Sequence, residues 1–322
     1  MNAAELNKIA EQYRNVKYER VFDPAQMHYS YAEYITNIQG RKVSLGIPSF
    51  DKALGMIRPS QVVTIIGATN VGKTTVAMNI ALANATIGKD KLVVFFNLEI
   101  DQNEIYERLL QMEYDLFTYQ VEKAFQEKDK YLLDKFELVG EKFKNFISVI
   151  GRVSVEDITP FTKAIEETYH KEAGLIVVDH LGLVKNEKYT DEYARTTDNA
   201  MKLKEIAINL QIPVLNLSQT SRADVKNNDK GLNLYSGKGS GEVENSSQIV
   251  ITIDKLDKDK ALGQNVPYEL IEQVEKQEVY LLHAKIQKKK QGNYADTVLI
   301  QNRKNLKITE MGSQSQTELD PF

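Results

Sequence analysis

The chain has 322 residues, no cysteine and four histidines, which excludes disulfide frameworks, thiolate metal sites, cysteine nucleophiles and zinc ribbons. Lys and Arg number 41 against 45 Asp and Glu, a formal charge of −4, so the whole chain is no basic tether for nucleic acid, although a local basic groove stays open. No run approaches ~20 consecutive apolar residues and the N-terminus has no apolar signal-peptide core, so a cytoplasmic protein without a membrane-spanning helix is expected.

Residues 1–40 are polar and tyrosine-rich, with short helices predicted on either side of Pro24; they read as an arm that packs on something else. From residue 41 the pattern changes. A buried-type strand, Val62 to Ile66, runs into Gly67, and a helix begins at Lys73. Leu92 to Phe96 predicts a second strand, followed by helical residues 101–112 and a charged helical stretch over 116–137. Phe146 to Ile150 is a short strand, and Ser154-Val155-Glu156-Asp157 has capping-box spacing for the next helix. Leu175 to Asp179 is the next strand. A helix then carries Ala200, Leu203, Ile206, Ala207 and Leu210 on one face. Strands follow at Pro213 to Leu217 and Gln248 to Ile253. Beyond 253 helices thin out, and Val279–Ile286, Thr297–Gln301 and Leu306–Ile308 read as late edge strands. Near-continuous apolar strands alternating with helices predict an α/β fold: a mostly parallel twisted sheet, helices on both faces and a late antiparallel edge. The division expected is an arm over 1–40, a core domain over 41–310 and a disordered tail over 311–322.

Gly67-Ala68-Thr69-Asn70-Val71-Gly72-Lys73-Thr74 fits G-x-x-x-x-G-K-[ST], between a buried strand and a helix, as a phosphate-binding loop requires. Its glycines let successive N–H groups turn toward phosphate oxygens, and the helix adds its positive N-terminal end. Lys73 would reach the terminal phosphates of ATP, Thr74 would ligate Mg²⁺, and Thr75 extends the cradle. Asp179 ends an apolar strand, the placement of a residue that holds Mg²⁺ through water. Glu99 follows the second strand and could orient or deprotonate an attacking water. A lone carboxylate at a strand end is ordinarily a solvated cap; two at the switch face of an open α/β sheet favour a site. Gln219, at a third strand end, can sense a γ-phosphate or simply make a turn.

Taken together these residues resemble the RecA-like ATPase superfamily, and most closely the helicase domain of DnaB-type hexameric replicative helicases. The resemblance spans roughly 41–308. It rests on Gly46-Ile47-Pro48-Ser49-Phe50-Asp51 ahead of the first core strand, and on Gly72-Lys73-Thr74-Thr75-Val76-Ala77-Met78-Asn79. It continues through Asn97-Leu98-Glu99-Ile100, Val178-Asp179-His180-Leu181, Leu217-Ser218-Gln219 and Gly241-Glu242-Val243-Glu244-Asn245. The resemblance implies a RecA-like P-loop core, Glu99 as catalytic base, Gln219 as sensor, and a ring, usually of six subunits. ATP would lie at each interface and single-stranded DNA in the channel.

Lys288 and Lys290, in Ile286-Gln287-Lys288-Lys289-Lys290-Gln291-Gly292, fall where the family carries K-x-R-x-G. They would act across the interface, Lys290 in the arginine-finger position. Lysine donates as a point charge rather than a planar fork, and a paired-lysine arrangement resembles the recombinase branch, so a filament-forming recombinase is the alternative. Channel-loop regions would be 185–195 and 222–242, with Lys185, Arg222, Lys226 and Lys238 as DNA-contact candidates of the sequence-independent kind. The collar that DnaB-type proteins carry before this domain has no counterpart in the roughly 40 preceding residues, where Tyr31–Gln39 would serve as a linker helix docking on the next subunit. The terminal Gln316-Thr317-Glu318-Leu319-Asp320-Pro321-Phe322 has the Q-x-x-L-x-x-F spacing of sliding-clamp peptides, against the plainer reading of a solvated end.

Overall fold

Near-continuous runs of Val, Ile, Leu and Phe suit strands covered on both faces. In the computed structural model, which describes residues 23–86, 90–220 and 240–312, they form β1 (Val62–Gly67), β2 (Leu92–Asn97), β3 (Phe146–Ile150), β4 (Ala173–Asp179), β5 (Val214–Gln219) and β6 (Ile249–Leu256). β1 and β2 are buried along their whole length. The spatial order is β3-β2-β4-β5-β1-β6, parallel throughout. Beyond β6 the sheet turns antiparallel through β7 (Val279–Lys289), β8 (Asp296–Asn302) and β9 (Ile308–Glu310).

Steps from β1 to β2 and β3 run one way across the sheet, and steps from β3 through β4 to β5 run back. Right-handed crossovers therefore place the two sets of helices on opposite faces. α1 (Pro24–Ile38) and α2 (Pro48–Leu54) precede the sheet. α3 (Lys73–Thr86), α4 (Gln102–Tyr114), α5 (Thr118–Gln126) and α6 (Lys130–Lys142) cover one face, where Val76, Ile80, Leu110 and Phe136 pack with Ile65, Phe95, Val177 and Leu217. α7 (Ile158–Tyr169), α8 (Glu192–Leu210) and α9 (Ser240–Ser246) cover the other, with Ile158, Leu203, Ala207 and Val243 against Phe96, Ile176 and Val178. α10 (Lys258–Gly263) and α11 (Tyr268–Glu275) build a small third core over the β6–β7 hairpin with Leu256, Leu281 and Val298.

The described residues fall into two units divided after Lys42. The first contains α1, whose Tyr29 and Tyr31 are exposed. Pro24 opens this helix: it occupies the first turn, and the Asp23 side chain accepts from Gln26 N; the short helix expected before it lies outside the described residues. Other boundaries also differ from the periodicity. The stretch 116–137 is two helices, because Lys128 takes φ 54° and Asp129 caps a new start at Leu132 N. Within 185–195 the helix already begins at Glu192, capped by Asp191. Helices do not thin out after 253; α10 and α11 are too short to show a period. β9 lies at 308–310 instead of 306–308, since Leu306 turns through φ 56°. Among the described residues no helix is long and apolar enough to cross a membrane.

Candidate functional site

The phosphate-binding loop stands between β1 and α3, at the carboxyl edge of the parallel strands. Gly67 must be glycine for steric reasons: a Cβ there would lie 2.7 Å from Val71 Cγ1 and 2.9 Å from the Ile253 carbonyl oxygen. Gly72 has φ +101°, and a Cβ on it would meet Gln301 Oε1 at 2.6 Å. Asn70 takes the left-handed turn at the exposed tip, with φ 60°. Ala68 and Thr69 complete the outer wall, and Val71 N donates back to Ala68 O at 3.3 Å. The buried Lys73 ammonium donates to Gly67 O at 3.1 Å and Ala68 O at 2.8 Å, so it spans the mouth of the loop. Burial lowers its proton affinity, and the negative charges of Asp179 and Glu99 oppose that. Thr74 is half-buried and Thr75 buried in the first turn of α3.

Asp179 closes β4 and is 1% exposed. Burial pushes its pKa up to about 6, and Glu99 adds to this; the neighbouring Thr74 hydroxyl, Lys73 and Arg108 pull the other way. Despite that proximity, neither carboxylate oxygen has a hydrogen-bond partner of acceptable geometry. Two orphaned buried carboxylate oxygens beside a threonine hydroxyl fit Mg²⁺, which takes oxygen ligands and is usually held by one or two carboxylates plus substrate phosphates. The peptide after Asp179 is cis.

Glu99 is exposed on the turn after β2. That turn is built by Asn97, fully buried at the strand end: its Nδ2 donates to Ile100 O at 2.5 Å, and its Oδ1 accepts from Ile100 N at 3.2 Å and Glu99 N at 3.4 Å. Sequence reasoning assigned Asn97 no role; the available signal was a polar residue ending an otherwise apolar strand. Gln219 pairs in register with Gly67 across β5 and β1, which brings it beside the loop. Its side-chain amide lies 3.1 Å from His180 Nε2, while His180 Nδ1 accepts from Gly182 N at 3.2 Å. A cavity of about 300 Å³ opens here, lined by His180, Leu183, Glu192, Thr196 and Gln219 among others. Gln301, buried against Gly72, is a second residue that the motifs did not reveal.

Lys73, Thr74, Glu99, Asp179 and Gln219 thus meet at one edge. Lys288 and Lys290 do not join them. β7 pairs Lys289 with Ile249, whereas Gly67 is level with Ile253. The lysines therefore sit four residues, about 13 Å, down the strands and two strand spacings, about 10 Å, across from Gly67. They cannot serve their own phosphate loop. Lys185 is exposed, on a segment whose N–H bonds Val153 O at 3.0 Å. Arg222, Lys226, Lys238 and the segment 316–322 lie outside the described residues.

The family model described as DnaB-like helicase C terminal domain matches residues 42–310. A probable plasmid replicative DNA helicase of Chlamydia psittaci is 27% identical over 214 residues, covering 66% of this chain and 46% of that protein. The replicative DNA helicase DnaB of Helicobacter pylori is 26% identical over 244 residues, covering 75% and 49%. The chain thus spans about half the length of the curated relatives it matches. Among solved structures, the ATPase domain of G40P superposes with TM-score 0.73 at 18% identity, covering 91% of this chain and all of that one. A DnaB-like replicative helicase, described with its primase interactions, gives 0.69 at 19%, covering 95% and 70%. At these identities the structures speak for the fold, which is RecA-like. With the family model matching well over half its length, the chain belongs to the DnaB-like helicase C-terminal domain family.

Proposed function

We propose that the chain is the ATP-driven motor of a DnaB-type DNA helicase, which couples ATP hydrolysis at subunit interfaces to movement along single-stranded DNA. The observation that carries this reading is the split of the machinery. Lys73, Asp179, Glu99 and Gln219 gather at the carboxyl edge, while Lys288 and Lys290 stand beyond reach of that edge in the same chain. A complete site then needs a neighbour, as a ring supplies.

In this reading Lys73 holds the terminal phosphates of ATP, and Thr74 and Asp179 hold Mg²⁺, which when bound neutralises phosphate charge. Glu99, held on the Asn97 turn, orients and deprotonates the attacking water. Gln219 reads the γ-phosphate, and the neighbour's lysine pair stabilises charge on the leaving phosphate. Lys185, with Arg222, Lys226 and Lys238, contacts DNA phosphates. The segment Tyr31–Gln39, which closes α1 and runs one residue past it, docks on the next subunit of a six-membered ring. Docking of residues 316–322 on a sliding clamp is a separate reading, checked by titrating that peptide with a clamp.

A second reading, a recombinase-like filament, is favoured by the Lys288/Lys290 pair alone. Electron microscopy with a non-hydrolysable ATP analogue and oligo(dT) separates the two, when combined with a forked-duplex unwinding assay. Closed or lock-washer rings with ATP-dependent strand displacement support the motor. Open filaments without unwinding overturn it.

A further inference from the structure

Lys288 is not a free cation waiting for a neighbour. Its ammonium donates to the backbone carbonyl of Glu244, on α9, at 2.5 Å and lies 3.8 Å from Glu244 Oε1. Both side chains are only about one-fifth exposed, at 20% and 18%. Burial lowers the proton affinity of Lys288, and Lys290 and Lys204 lower it further; Glu244 is the acid that opposes them.

The residues just after Glu244 are bonded in two directions. Towards β7, Lys290 N donates to Gln248 O at 3.1 Å. Towards β1, Val62 N donates to Gln248 Oε1 at 2.8 Å, Gln248 N donates to Val62 O at 3.0 Å, and the Thr64 and Ser247 hydroxyls share a hydrogen bond of 2.6 Å. Residues 244–248 therefore clasp the strand that carries the lysine pair and the strand that leads into the phosphate loop. α9 also begins within 222–242, the region identified by resemblance as a channel loop, and carries Gly241 to Asn245 of that resemblance.

We propose that Glu244 is a positioning residue for Lys288, fixing the lysine to α9 so that a shift of α9 relocates the cation offered to the neighbouring subunit. The proposal rests on the motor reading, and gives it a specific link. DNA acting near α9 changes turnover at the interface to which that subunit contributes its lysine, not at its own phosphate loop. The link needs no movement of Lys73 or Asp179, because it runs through the far end of the sheet.

The test is a double-mutant cycle on the full chain, reading the fold-stimulation of ATP turnover by oligo(dT). Glu244→Ala removes the carboxylate that keeps the half-buried ammonium charged and leaves the backbone carbonyl in place, so it is expected to reduce that stimulation about twofold or more while changing nucleotide affinity by less than about twofold. Lys288→Met, which removes the cation itself, lowers basal and stimulated turnover alike, and on that background Glu244→Ala no longer changes the stimulation. Additive losses, or unchanged stimulation in Glu244→Ala, overturn the proposal; so does an equal drop in basal and stimulated rates in Glu244→Ala, the mark of a merely structural role. Wild-type turnover and unwinding, measured alongside, report on the motor reading itself. Amide exchange reads the tether without any activity: Lys288→Met must speed exchange of residues 243–247, and unchanged protection there refutes it.

Discussion

The backbone N–H of Leu98 donates to the carbonyl oxygen of Asp179 at 2.9 Å. This rung continues the β2–β4 ladder one step beyond the pairing of Asn97 with Asp179. It fixes the residue before Glu99 to the residue implied in metal binding, across one strand spacing of about 4.8 Å. Two carboxylates are thus set side by side in opposite surroundings. Asp179 points into a dry, orphaned site, and Glu99 stands exposed where water is available.

That separation predicts distinct losses for distinct residues. Glu99→Gln should keep nucleotide binding, since Glu99 makes no part of the loop, while turnover falls about 10²- to 10⁴-fold. Lys73→Ala should lose binding itself, because the ammonium that spans Gly67 O and Ala68 O is removed. Fluorescent-nucleotide titration beside steady-state hydrolysis distinguishes them. Full turnover in Glu99→Gln would remove the glutamate from the mechanism.

Asp179 should leave a mark on stability against pH. Its carboxyl has a pKa of about 6 in the folded chain against an ordinary 3.8, so between those values the folded state binds more protons than the unfolded one. The contribution is present below about pH 4 and is lost as pH rises through 6, to a total on the order of 3 kcal/mol. Asp179→Asn should be more stable than the wild type at pH 7.5 and lack this part of the slope. Urea unfolding of both, without nucleotide, from pH 5 to 7.5 measures it. Identical slopes would show that the carboxyl is not held protonated.

Much of this site is legible in the sequence, for a physical reason. Strands buried on both faces have to be apolar throughout, and their ends then stand out as the first polar residues. Asn97 and Asp179 do so, whereas Gln219 follows Asn216 and Ser218 in its strand. What the residues could not reveal were the contacts made across the sheet. Gln301 sits 229 positions after Gly72 and packs on it only because β8 follows β6 and β7. Lys288 reads as one cation in a run of three, and only the register of β7 on β6 shows that it leaves the loop's edge and meets Glu244. Short elements with no full period, α10 and α11, escaped for a different reason: they contribute two buried residues between them, Ala261 and Ile271, to a small satellite core.

The loop glycines differ in what they tolerate. Gly67→Ala would force its methyl against the Ile253 carbonyl, a backbone atom that cannot swing away, and should cost about 1–3 kcal/mol together with nucleotide affinity. Gly55→Ala is a useful contrast. Gly55 has φ +68° but open space around it, so strain alone should cost about 1 kcal/mol and leave nucleotide binding unchanged. Thermal melts with and without ATP separate the two. Equal affinity losses would mean that the close packing under the loop does not shape it.

Asn97 gives the sharpest test of how Glu99 is aimed. Its side chain satisfies one carbonyl and two N–H groups of the Glu99 turn from a fully buried position. Asn97→Ala leaves those groups without partners and should cost about 1–3 kcal/mol of stability. The catalytic signature differs from that of a general loss of fold. The phosphate loop and Asp179 carbonyl rung are untouched, so kcat should fall while KM for ATP stays near its wild-type value. Asn97→Asp keeps an acceptor for the two N–H groups but loses the donor to Ile100 O and places a second buried carboxylate near Asp179. It should be the less stable of the two and no more active. If Asn97→Ala lowered stability but left kcat intact, Glu99 would be aimed by something other than this turn.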